Sequence, residues 1–312
     1  MSQGTPGNPE RRRFFKVAAG AAAGATAVAA LPPAVGGAGT TGTVPPGAGR
    51  TLRMAADLQR ALGRAPADRR WVMVIDTRRC IGCSACTVAC VAENNLPPGV
   101  TYRTVPEVEV GSYPDVQRAF MPTNCMQCDK APCVAAANAV IPGSMKKRPD
   151  GIVAIDYAKM KGRRVFEAAK KACPYGAALY YDEGKNHTDG TPALQPYEKR
   201  AAIEYGRAWT RKQTAGTTRK CHFCAQRLDA GLLPACVSTC TGLAMHFGDA
   251  ADPKSLVAEM LAAGQGRRLE VEKGTSPRVF YVDDWAPEAP ATAAPPPNRP
   301  RVDCTACHSF GR

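Results

Sequence analysis

The chain is poor in aromatic residues, which make up 6% of its 312 positions, whereas glycine and proline number 29 and 27. That composition excludes an aromatic-rich core and requires another source of cohesion, for which metal ligation is the usual answer. Past the N-terminal leader no stretch reaches eighteen apolar residues, so the mature chain is expected to have no transmembrane span of its own. No Ser-His-Asp set, paired acid–base carboxylates or phosphate loop stands out, and no substrate turnover is expected from this chain alone. The formal charge is +14, from 41 Lys and Arg against 27 Asp and Glu. Such an excess can mark a nucleic-acid partner, yet no finger, helix-turn-helix or RNA-binding motif accompanies it. Metal-bound thiolates would offset part of the charge, and part sits in the leader, where Arg11, Arg12, Arg13 and Lys16 stand against Glu10. Nucleic acid is not an expected partner.

Cysteine is what the chain has in abundance, with fourteen residues in spaced groups. The first group is Cys80-x2-Cys83-x2-Cys86-x3-Cys90 in CIGCSACTVAC, the bacterial ferredoxin run without its trailing proline. In such a run three sulfurs reach one cubane, and the fourth cysteine starts a helix pointing away and ligates a second cluster. A zinc site needs four ligands and would leave the run half-explained. The second group is Cys125-x2-Cys128-x4-Cys133, with Ala137 and Asn138 where a Cys-Pro would continue it. The third contributes only Cys173, with Gly162, Arg163, Phe166 and Ala169 in the stretch where upstream cysteines would stand. The fourth is Cys221-x2-Cys224-x11-Cys236-x3-Cys240.

Residues 11–16 read RRRFFK and precede a weakly apolar Ala/Gly run, Val17–Leu31, with a cleavage signature at Ala27-Val28-Ala29. This segment resembles a twin-arginine export signal, a route for proteins that fold, often with their cofactor, before leaving the cytoplasm. The expected location is therefore periplasmic, with membrane association through a partner. Gly36–Gly49 reads as a flexible linker.

The runs VIDTRRCIGCSACTVAC, NCMQCDKAPC, DGIVAID, ACPYGA and CHFCAQRLDAGLLPACVSTC, between about Trp71 and Asp249, resemble the ferredoxin-like electron-transfer subunit of dimethyl sulfoxide reductase-family molybdopterin oxidoreductases. The resemblance implies interleaved ligand groups. Cys80, Cys83, Cys86 and Cys240 would hold one 4Fe–4S cluster, Cys90, Cys221, Cys224 and Cys236 a second, and Cys125, Cys128, Cys133 and Cys173 a third. The cysteines missing from the family pattern all belong to one fourth cluster, which points to the three-cluster branch. Implied partners are a molybdopterin catalytic subunit and a quinone-interacting membrane subunit or cytochrome c. Two alternatives stand beside this: an iron–sulfur subunit of a membrane redox complex without a molybdenum enzyme, and, from another class, a zinc-binding adaptor.

The last two cysteines, Cys304 and Cys307, form CTACH with His308, the c-type haem attachment motif. A redox-active thiol pair in a tail is the plainer reading of the same residues. Of the other histidines, His222 is expected to pack against or tune a cluster, and His187 to face solvent or a partner; His246 has no assigned role. Met126 and Met145 read as packing residues, and Lys146-Lys147-Arg148 as a solvated loop. The expected fold is α+β, two ferredoxin-like 4Fe–4S modules, one inserted in the other, with short antiparallel strands and cluster-binding loops. Strands are expected at Trp71–Ile75, Gly151–Ile155 and Arg278–Val282, and a helix around Lys254–Ala263. The chain then divides into a signal (1–30), a linker and N-terminal extension (31–70), a first module (71–120 and 205–250) and a second with its insert (121–204). A C-terminal α/β extension (251–287), a Pro-rich linker (288–300) and the CxxCH tail (301–312) complete it.

Overall fold

The computed structural model describes residues 49–176, 178–190 and 211–283. The twin-arginine leader, nearly all of the Gly-rich linker, residues 191–210 of the polar insert, the Pro-rich linker and the CTACH tail lie outside the described residues. Eleven short strands are defined among those described: β1 (Trp71–Asp76), β2 (Arg103–Thr104), β3 (Glu107–Val110), β4 (Gln117–Phe120), β5 (Thr123–Asn124), β6 (Met145–Lys147), β7 (Val153–Ile155), β8 (Tyr180–Tyr181), β9 (Thr218–Arg219), β10 (Met245–Asp249) and β11 (Val279–Val282).

The apolar run WVMVID is buried along its whole length because it lies at the centre of a three-stranded sheet ordered β10-β1-β11. β1 pairs antiparallel with β10, Trp71 opposite Asp249, and parallel with β11, Met73 opposite Val279. Alternation puts its side chains into two cores. Trp71, Met73 and Ile75 enter the one that holds Cys86, Cys128 and Cys236, while Val72 and Val74 meet Val257, Phe280 and Val282. The remaining strands form antiparallel pairs, β2-β5, β3-β4, β6-β7 and β8-β9. The parallel β1-β11 ladder departs from the all-antiparallel expectation, and it follows from the chain returning to this sheet after β10.

The segment read as linker and extension contains a helix, Arg50–Leu62, whose Met54, Leu58 and Ala61 are buried at helical spacing. It packs on β10 and is tied to it where the Phe247 amide donates to Met54 Sδ at 3.2 Å. Trp71 stacks on Phe247 with ring centroids 5.6 Å apart. The helix Leu256–Ala262 begins at Ser255, whose hydroxyl accepts from Ala258 N at 3.1 Å.

A second core lies around the helices Pro132–Val140 and Arg163–Ala172 and the hairpin β6-β7. The helix Arg163–Ala172 buries Val165, Phe166 and Ala169 and exposes its basic residues. Asn138 acts as an extra strand residue there, accepting from Met145 N at 3.1 Å and donating to its carbonyl at 2.9 Å. The basic run 146–148 is not a solvated loop. Lys146 and Lys147 belong to β6, Lys147 pairs with Asp129 at 2.9 Å, and Arg148 bridges Asp150 and Asp229 at 2.9 and 2.7 Å. The molecule is a mixed α/β structure, as the sequence leads one to expect.

Candidate metal centres

Cys80 follows a 3-10 turn, Thr77–Arg79, and the loop CIGCSAC then curls before the helix Ala85–Asn94 begins. Gly82 has φ +72°, and a Cβ there would lie 2.5 Å from the Phe120 ring, so only glycine lets the loop turn under β4. Gly242 brings the second loop against the first: a Cβ on it would stand 2.4 Å from the Arg79 carbonyl. The result is a cavity of about 300 Å³ ringed by Cys80, Cys83, Cys86 and Cys240, with Ile81, Val105 and Met245 as apolar wall. Amide and hydroxyl hydrogens point at its sulfurs. Ala244 N donates to Cys240 Sγ at 3.2 Å, and Thr241 Oγ1 lies 3.5 Å from Cys83 Sγ.

Cys90 stands inside the helix Ala85–Asn94 rather than at its start. It is four residues past Cys86 and so on the same helical face, about 6 Å along the axis. There it lines a second cavity of ≈ 300 Å³ with Cys221, Cys224 and Cys236, closed by Met73, Tyr102, Arg103, His222 and Phe223. Phe223 N donates to Cys221 Sγ at 3.5 Å, and Asn94 and Asn124 reach Cys90 and Cys221 Sγ at 3.6 and 3.8 Å.

The third set meets at the second core, where Cys125, Cys133 and Cys173 pack with the helices Pro132–Val140 and Arg163–Ala172. Burial, and then Cys125, Cys133 and Cys128, push the Cys173 thiol up to about 12. Cys133 and Cys128, also buried beside Cys125, go up to about 11. Cys221 is likewise raised to about 11, first by burial and then by Cys125 and Cys236. The second and third sets therefore adjoin where Cys221 and Cys125 meet.

Each sulfur quartet predicted from the sequence is thus brought together. Thiols crowded and desolvated in this way are neutral and poorly solvated on their own, whereas coordination removes the proton outright. Among the described residues no three His, Cys, Asp or Glu side chains converge as closely as one bare ion requires. The donor chemistry, wide sulfur rings and N–H groups aimed at sulfur fit a cluster. The Arg103 guanidinium adds an unfilled hydrogen bond: its Nη1 is buried without a partner among the described residues. No motif flags Arg103 in the sequence, and the chemistry-bearing cysteines gave no hint of it.

Where a fourth cluster would sit, the structure places carbon. Ala137, Val165, Phe166 and Ala169 are buried together, Ala137 and Ala169 completely. His222 is a packing residue, edge-on to Tyr102 at 5.9 Å, and its Nδ1 accepts from Ala225 N at 3.2 Å. Burial, then Lys220 and Arg219, lower its pKa to about 3, which keeps the ring neutral. His187 is exposed, and its Nε2 bonds the Leu96 carbonyl at 3.0 Å. Met126 and Met145 are buried in the two cores, as expected of packing residues.

The 4Fe-4S dicluster domain family matches residues 116–192 and 196–250. The iron–sulfur B component of the selenate reductase of Mesobacillus selenatarsenatis is 47% identical over 234 residues, 74% of this chain and 78% of the relative. The arsenate respiratory reductase iron-sulfur subunit ArrB of a Shewanella species is 34% identical over 67% of this chain and 94% of its own. The corresponding B component of the tetrathionate reductase of Salmonella typhimurium is 38% identical over 68% and 72%.

Proposed function

The chain belongs to the iron–sulfur electron-transfer subunits of the molybdopterin reductases, and from that premise we propose that it is a periplasmic relay built on three cubanes. One observation carries the count: three cysteine quartets are each gathered in one place, while apolar side chains fill the position of the fourth. Each cubane, when bound, would take up and release one electron.

The chain's own residues arrange these sites in a row. Cys86 and Cys90, one helical turn apart, place the first site beside the second. Cys221 and Cys125 do the same for the second and third. Apolar walls and the aromatic pair Phe223 and Phe247, 5.3 Å apart, keep water from the middle of the row. One module then carries the first two sites, and the second module, inserted between its halves, carries the third. The relatives' names point to a molybdopterin subunit that reduces an oxyanion at one end of the circuit. A quinone-linked membrane subunit, or cytochrome c through a haem on Cys304, Cys307 and His308, would stand at the other. Among the described residues no helix is long and apolar enough to cross a membrane.

Iron and acid-labile sulfide analysis of the purified chain tests the count, with about twelve of each expected. Sixteen cubane irons would overturn the filled fourth site, and zinc without sulfide would end the relay. A haem stain surviving denaturing electrophoresis, lost when residues 304–312 are deleted while the cubanes remain, is the expected sign of the tail's haem. A haem-free product from a host that matures cytochromes c would reduce CTACH to a thiol pair.

A further inference from the structure

Buried cations in this molecule are as a rule met by carboxylates. Arg219, fully buried, lies 3.1 Å from Asp182, and Arg278 and Arg227 hold Asp129 and Glu93 at 2.7 and 2.9 Å. Arg103 breaks the rule. It is 2% exposed, and no carboxylate among the described residues pairs with it. Strand pairing fixes the side chain, since Arg103 on β2 faces Asn124 on β5, and Nη2 donates to Asn124 Oδ1 and Met73 Sδ, both at 2.9 Å. With the plane of the guanidinium held, Nη1 remains buried and without an acceptor among the described residues. The group lines the same cavity as Cys90, Cys221, Cys224 and Cys236.

An unpaired guanidinium in such a place is costly unless an anion shares the site. Burial works against the charge here, yet the thiols of Cys236, Cys86 and Cys221 outweigh it and raise the pKa of Arg103 further. A cluster with four thiolates carries about 2−, and a one-electron reduction makes it about 3−. A fixed positive charge in low dielectric favours the more negative form. We infer that Arg103 is the built-in counter-charge of the site formed by Cys90, Cys221, Cys224 and Cys236, its Nη1 donating toward the sulfur shell and holding that site's reduction potential up. The residue tunes rather than transfers; it is a positioning charge. The inference rests on the ligand reading above.

The test uses the full iron-loaded chain, its R103Q and R103K variants, and dithionite titration followed by electron paramagnetic resonance, with iron and sulfide measured on the same samples. In R103Q one of the one-electron midpoints should fall by at least a factor of ten in the reduction equilibrium, ~59 mV for a one-electron couple. The other midpoints should move less, and R103K should recover most of the fall. Unshifted midpoints in R103Q at wild-type iron content would overturn the inference. Should R103Q be isolated short of four irons, R103K decides: full iron supports a need for the charge, and the same shortfall shows that shape alone is required and overturns it. A wild-type chain without iron and sulfide would sink the ligand reading itself, an outcome visible before any variant is made.

Discussion

A histidine on the central sheet illustrates how burial sets the acid tolerance of this molecule. His246 on β10 sits opposite Val74, 1% exposed, and Arg50 Nη1 lies 3.2 Å from its Nε2. Arginine can only donate, so Nε2 accepts and the ring proton is on Nδ1, which is buried with no partner among the described residues. Burial first, and the Arg50 charge second, lower its pKa to about 4. The unfolded chain keeps the ordinary value of about 6.5 and so binds a proton that the folded one refuses between about pH 6.5 and 4. Stability is therefore full above that window and falls as the pH drops through it, by up to about 3 kcal/mol. His246→Gln keeps an acceptor for Arg50 but does not titrate. Melting followed by circular dichroism should show a flatter loss between pH 6.5 and 4.5 for this variant than for wild type. Parallel curves would mean that the ring is not held neutral.

At the scale of elements, the helix Ala85–Asn94 divides its two cysteines between neighbouring sites. Cys86→Ser and Cys90→Ser should each cost up to four irons, as one cubane per variant fails to assemble. The double variant should lose up to eight. A double variant that loses no more than either single one would show that both sulfurs feed one site. The quartets were legible in the sequence because cubane ligation imposes short fixed spacings, and β1 because a continuous apolar run such as WVMVID suits a strand covered on both faces. The helix Arg50–Leu62 escaped, although Met54, Leu58 and Ala61 carry its period, because it follows a long Gly-rich stretch that reads as linker. Cys90 was placed at a helix start because spacing reports which sulfurs gather and not where the helix begins. Arg103 had no signal at all: a two-residue strand has no periodicity, and its significance arises only when Asn124 and the distant Cys221 and Cys236 close around it.

For the whole molecule, the leader and the cysteines make a joint prediction. Changing Arg11 and Arg12 to Lys should leave iron-loaded precursor in the cytoplasm, as detected by fractionation and immunoblotting. Normal delivery of that variant to the periplasm would show that the leader is not a twin-arginine signal. The order of the central sheet gives this prediction its physical sense. β1, near the start of the described chain, has both of its neighbours, β10 and β11, close to the end. A ribosome therefore releases the middle strand long before either flank exists, and Cys80 long before Cys240. Until Val282 has emerged the nascent chain carries half-rings of thiols on a strand with two bare edges, a state open to oxidation and to pairing with other chains. Metal loading must then follow translation rather than accompany it, and a secretion route that threads the chain as it is made would deliver the halves unjoined.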